Sequence, residues 1–364
     1  MGSLHMDPSA LIPTPDALQV PWGWFQLLLI ITLFIHLILM NIMLGTGIIA
    51  FVNHFRAAEE ANPLCHAISR TLPFVIAFTV NFGVAPLLFA QVLYGNFLYT
   101  SSVLMAVFWM SIIGLLIIGY YAAYIYKYKY DSLGGARVVV TGLSVAALLM
   151  VGFFMSNNFT LMQRPDTWVR YFDSPEGSLL NLADPTLFPR YFHFVTAAIA
   201  IGGLSIALYY EFLRRRGDET VEYWIRYGLK WFGIATIVNF GFGFWFFGTL
   251  PGHVLDLNAF TGILIALFLL IVVILGVLSV IYSFQGRILP TLYTILPTVF
   301  IMILVRDLVR VAYLKPYSTL ADLPLVPQYS PFLVFLLFFA GGLVLLGWML
   351  KLVWRTYNSK GVQS

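Results

Sequence analysis

Hydrophobic runs long enough to cross ~30 Å of hydrocarbon recur nine times, near residues 22–52, 72–98, 102–126, 137–157, 190–213, 228–249, 258–284, 288–313 and 330–354. The pattern predicts an all-α integral membrane protein with nine transmembrane spans. Only "GNFLYTSS" (95–102) separates the second run from the third, which predicts a very short turn. The polar, proline-punctuated stretch 158–189, "NFTLMQRPDTWVRYFDSPEGSLLNLADPTLFP", is far longer, and "KPYSTLADLPLVPQYSP" (315–331) is similar in character. Long ordered loops of this kind usually carry function. No repeat or low-complexity tract divides the chain, so residues 22–354 read as one membrane domain between tails at 1–21 and 355–364. Within the first tail, residues 1–5 read as an expression remnant, with Met6 the native start and no cleavable signal peptide before the first run.

Composition agrees with the pattern. The chain of 364 residues is 60% hydrophobic, 17% aromatic and only 10% charged, which excludes a soluble globular domain. The net charge of +4 is a matter of loop asymmetry and carries no implication of nucleic-acid binding. With the N-terminus outside, the inner loops and C-terminal tail hold 14 of the 20 lysines and arginines, from Arg56 and Arg70 to Lys351, Arg355 and Lys360. The outer side keeps Arg164, Arg170, Arg190, Arg306, Arg310 and Lys315. The positive-inside rule therefore predicts N-out and C-in in a bacterial cytoplasmic (inner) membrane. One cysteine, Cys65, leaves no internal disulfide, CxxCH haem attachment or iron–sulfur cluster.

Polar residues inside apolar runs are the candidate chemistry. Of six histidines, His5 falls in the tail, and His54 and His66 flank Cys65 in the first inner loop, where solvation competes with a metal role. His36 lies deep in the first span, about 20 Å from its start at 1.5 Å per residue. His193 lies just inside the outer end of the fifth span, and His253 in the outer turn "GTLPGHVLDLN" (248–258). A membrane histidine can simply hydrogen-bond a neighbouring helix's carbonyl. It can also be functional, because intramembrane ionisable groups are costly, and with no acidic relay the leading role is axial ligation of haem iron. "FIMILVRDLVRVAYLKP" (300–316) places Arg306, Asp307 and Arg310 near the outer end of the eighth span. Arg306 and Arg310 share a helical face and Asp307 precedes Arg310 by three. They form either a self-neutralising cluster that snorkels to the interface or a carboxylate-binding wall. No span carries a paired Gly/Pro interruption of the kind transporters use.

Several of these stretches resemble subunit I of the cytochrome bd-type quinol oxidases. His36 and Gly45 in "HLILMNIMLG" match that family's first-helix histidine, an axial ligand of an oxygen-site haem, and its glycine. "NFGVAPLLFAQVLYG" (81–95), "LMA" (104–106) and "SNNFTLMQRP" (156–165) resemble stretches of the second, third and fourth helices. "DPTLFPRYFH" (184–193) puts His193 on the low-spin haem b ligand, and Asp307 with Arg310 on a Glu-x-x-Arg whose glutamate ligates the high-spin haem b. The nine-span, N-out layout is similar too. The departures are specific: the third-helix glutamates of the proton route are Ser102 and Met110, the methionine opposite the low-spin ligand is Leu264, and the long quinol loop shrinks to about ten residues.

The resemblance implies a membrane haem b electron-transfer subunit of a respiratory complex, a quinol-linked oxidoreductase subunit. It would pass electrons between quinol/quinone and a c-type cytochrome or other redox subunit at the outer face, beside further membrane subunits. One to three haems are implied, with His36, His193 and Asp307 on iron and Arg306 and Arg310 on propionates. The second ligand at His193 would be His253 or Met162, or that site is five-coordinate. Two stacked haems are expected because His36 and His193 are read as ~15 Å apart in depth. A true quinol:oxygen oxidoreductase and a haem-free anchor are the alternatives.

Overall fold

The computed structural model describes residues 7–56, 62–173, 175–216 and 221–360. Among them, nine helices are long and apolar enough to span a membrane. They are α1 (Trp22–Phe55), α2 (Asn62–Leu104), α3 (Ala106–Tyr128), α5 (Arg137–Gln163), α6 (Leu187–Arg214), α7 (Glu222–Gly248), α8 (Phe260–Phe284), α9 (Ile288–Leu314) and α10 (Tyr329–Lys360), with the one-turn α4 (Tyr130–Leu133) between α3 and α5. The chain is thus an all-α multi-pass membrane bundle, as the pattern predicts. The end carrying the segments 164–186, 249–259 and 315–328 is termed the loop face.

One expected boundary is different. The stretch 95–102 is not a turn: α2 runs through it to Leu104, kinked at Tyr94 (φ −134°, ψ 27°), and the chain breaks only at Met105. The hydroxyls that suggested a turn instead bond back into the helix. Thr100 donates to the Asn96 carbonyl (2.8 Å), and Ser101 and Ser102 donate to that of Leu98 (3.0 and 2.7 Å). Hydroxyls can satisfy themselves against the preceding turn in this way where no water competes.

Glycines decide how the helices cross. Gly45 and Gly202 bring α1 and α6 into backbone contact, since a Cβ on Gly202 would lie 2.6 Å from the Gly45 Cα. Gly203 and Gly228 do the same for α6 and α7, where a Cβ on Gly203 would lie 2.7 Å from the Gly228 carbonyl oxygen. Small residues permit this approach where van der Waals packing, not water exclusion, drives association. The largest core cluster sits in this half of the bundle, around Ile49, Leu72, Ala198, Leu204 and Phe232.

α8 and α9 form a hairpin beside α6 and α7. Far from the loop face α7 and α8 close tightly, where a Cβ on Gly233 would meet Ser283 at 2.8 Å. Nearer the loop face they part and leave a slot. α10 stands apart, exposed along its span. Trp24 and Phe332 touch at its base (ring centroids 5.3 Å). Residues 18–19 bond the segment before it, with Leu18 N donating to Pro324 O (2.7 Å) and Val326 N to Leu18 O (2.8 Å).

Candidate functional site: a cationic slot between two helix pairs

The slot has a volume of about 410 Å³, inside the ~300–1,000 Å³ range of small-molecule and cofactor pockets. On α9 its lining runs from Ile295 to Val309, about 21 Å along the helix. Its walls are mostly aliphatic and aromatic, and no carboxylate is among the lining residues. The polar groups concentrate toward the loop face: His193 and Arg190 from α6, Arg306 from α9, Gln163 at the end of α5 and Asn239 from α7.

His193 and Arg190 sit three apart, so α6 presents both on one face. The His193 ring rests against Gly243 of α7, where a Cβ would lie 3.4 Å from Nδ1, with the Asn239 backbone one turn away as its hydrogen-bonding neighbour. Arg190 is buried; one amino group donates to Gln163 Oε1 (3.0 Å), its guanidinium lies 5.1 Å from the Phe246 ring centre, and its Nε has no partner. Arg306 packs on the Phe159 ring at 4.6 Å. Neither arginine has an ion-pair partner within 4 Å among the described residues. Two guanidiniums without an anion in an apolar setting are expensive. The cost falls when a ligand brings two negative groups.

The neighbouring charges are already matched. Asp307 accepts from Gln26 through one oxygen and from Arg310 through the other, and Arg310 lies 4.2 Å from the Tyr94 ring centre. These groups belong to the α1–α9 seam. Arg306 joins that seam to the slot, because it also borders a small void with Leu29, Ile303, Asp307 and Arg310. At the loop face Arg164 pairs with Asp166 (2.8 Å) and with buried Asp184 (3.2 Å). The bond to Asp166 is the main reason its guanidinium is held above the usual arginine range.

Other expected site residues do not reach the slot. His36 is wedged between α1 and α2, its Nδ1 3.1 Å from the Thr79 carbonyl and its ring in a notch that a Cβ on Gly83 would fill at 2.8 Å. Met162 is packed in an apolar cluster with Leu29, Leu93, Phe97 and Trp168. His253 is exposed and meets the Tyr313 ring edge-on, with centroids 6.0 Å apart. His54 Nε2 lies 2.8 Å from the Tyr126 hydroxyl, while the buried Cys65 thiol is directed at the Ala50 carbonyl. His5 lies outside the described residues. Among the described residues, no three His, Cys, Asp or Glu side chains gather as metal ligands.

The expected ~15 Å depth offset between His36 and His193 is also corrected. α1 and α6 are spans one and five, so they run the same way, and they touch at Gly45 and Gly202. Each histidine precedes its contact glycine by nine residues, about 13.5 Å, so the two stand at about the same depth. Counting from helix starts exaggerates the difference, because α1 begins further out than α6.

Arg190, Gln163, Asn239, Asn41, Met40 and Met302 are slot residues that the sequence reading passed over. For Arg190 a signal existed, its i−3 relation to His193. For Asn41 it was one amide in "LILMNIML". No protein-family model, curated protein or solved structure matches the chain.

Proposed function

We propose that the chain is a haem b electron-transfer subunit of a respiratory complex in a bacterial inner membrane, linking the quinone pool to a redox partner at the loop face. The loop face is taken as the outer one. The observation that carries this reading is the slot itself: one buried imidazole, two arginines lacking an anion, and apolar walls. Haem b matches that donor set, with a metal for an imidazole, two propionates for two guanidiniums and an apolar ring for the walls.

In this reading His193 holds the iron and Arg190 and Arg306 hold the propionates. Gln163 fixes Arg190 through their 3.0 Å hydrogen bond. Met40 and Met302 place sulfur in the wall, whereas His253 and Met162 would not reach a group held by His193. Bound haem supplies a one-electron iron couple; the apolar walls keep water from it and the guanidiniums stabilise its anionic groups. The wall offers no carboxylate to deliver protons, which favours electron transfer over oxygen reduction. Asp307, held by Gln26 and Arg310, serves the seam, and His36 serves α1–α2 packing.

The test is a dithionite-reduced minus oxidised spectrum of the purified protein. Haem b bands that vanish in His193→Ala and persist in His36→Ala are expected. A colourless wild-type protein would overturn the reading in favour of an anchor subunit, a role for which the free-standing α10 is suited.

A further inference from the structure

Away from the arginines, the slot ends in a second, uncharged group of polar side chains. Asn41 of α1 borders it, is 6% exposed, and makes no side-chain hydrogen bond among the described residues. Thr236 of α7 and Thr298 of α9 line the same end. Both hydroxyl hydrogens are committed, Thr236 to the Phe232 carbonyl (2.7 Å) and Thr298 to the Thr294 carbonyl (2.8 Å). Each oxygen can therefore only accept. Asn41 lies five residues past the level of His36, and so of His193, which is about 7.5 Å deeper. Thr236 is seven residues beyond Gly243, which touches His193, and Thr298 eight beyond Arg306. These separations are about 10.5 and 12 Å along their helices.

We propose that this far end is a binding site for a neutral, membrane-dissolved quinone ring, with Asn41 as its recognition residue. An unsatisfied amide at this depth is costly unless a ligand meets it. The absence of any charged side chain at this end selects a neutral partner. The donor set suits a ligand whose oxygen changes character. A quinone carbonyl accepts from the Asn41 amide nitrogen, and a quinol hydroxyl donates to the Asn41 amide oxygen or to a threonine oxygen. One amide serves both states by turning over.

The way in is visible in the wall. Phe244 and Phe247 of α7 and Leu270 of α8 line the slot and are exposed on the bundle surface at 60%, 38% and 58%. They border an opening toward lipid where α7 and α8 part. Below it Gly233 against Ser283 closes the helices. That opening gives a membrane-dissolved ring access to the slot from the lipid side.

The role as electron donor or acceptor rests on the haem reading, but binding at Asn41 does not. The test is therefore binding of a decyl-tailed benzoquinone, carbonyl-labelled with ¹³C, to the detergent-solubilised full chain, with haem content measured in the same samples. Asn41→Leu is expected to weaken binding about tenfold, the loss of one hydrogen bond of ordinary strength. It should also remove the hydrogen-bond shift of one labelled carbonyl stretch while leaving haem content unchanged. Thr236→Val, which keeps the helix and its volume, is expected to weaken the quinol more than the quinone. Equal affinity and an identical carbonyl spectrum in wild type and Asn41→Leu would overturn the site. A haem-free protein that still binds through Asn41 would overturn only the haem reading.

Discussion

Arg306 is the residue on which the two halves of the site depend. It borders the slot on one side and the Asp307–Arg310 seam on the other, yet its one close partner among the described residues is the Phe159 ring. Without an anion the guanidinium burdens the fold; in the proposed function a propionate would make it a charge-assisted anchor. Arg306→Leu is therefore expected to move two measurements in opposite directions. The cofactor-free protein gains roughly 1–3 kcal/mol in thermal unfolding, as when buried charge gives way to packing. Haem affinity drops by about tenfold to a hundredfold, the worth of one charged hydrogen bond. A variant less stable without haem, with haem affinity unaltered, would show Arg306 to be structural. The sequence made Arg306, Asp307 and Arg310 visible as a group, because charge in an apolar run is conspicuous. It could not divide them, since Asp307 is claimed by Gln26 from 281 residues away.

At the scale of helices, the span pattern was legible almost throughout, because each long apolar run can only be a helix in lipid. The second and third runs were misread at their junction, where hydroxyl-rich residues have the same composition in a turn as in a back-bonded helix. Crossings were not legible at all. Nothing in "MLGTG" or "AIGGL" announces that Gly45 and Gly202 face each other, and this one contact sets the relative depth of His36 and His193. Gly202→Val tests that geometry, because its Cβ would sit 2.5 Å from the Gly45 carbonyl carbon. Overpacking of this kind typically costs about 1–3 kcal/mol. The expected result is a lower thermal midpoint in detergent. Gly341→Val on α10, where nothing lies within 4 Å, should leave the midpoint unchanged. Equal behaviour of the two variants would mean that α1 and α6 do not cross there.

For the molecule as a whole, the direction of insertion determines what the site can serve. Charge alone argues it: 14 of the 20 lysines and arginines fall on the face opposite the long loops, which the positive-inside rule assigns to the cytoplasm. The chain is well suited to a direct test. Its one cysteine, Cys65, is 1% exposed, so an impermeant maleimide finds little background. Asp173→Cys places a thiol on the loop face, and Arg226→Cys places one on the other, at a side chain already 77% exposed. In intact cells the first is expected to label and the second only after permeabilisation. The reverse pattern would put the arginine end of the slot on the cytoplasmic side. A partner docking at the loop face would then be a cytoplasmic protein, and a c-type cytochrome could no longer be the electron partner there.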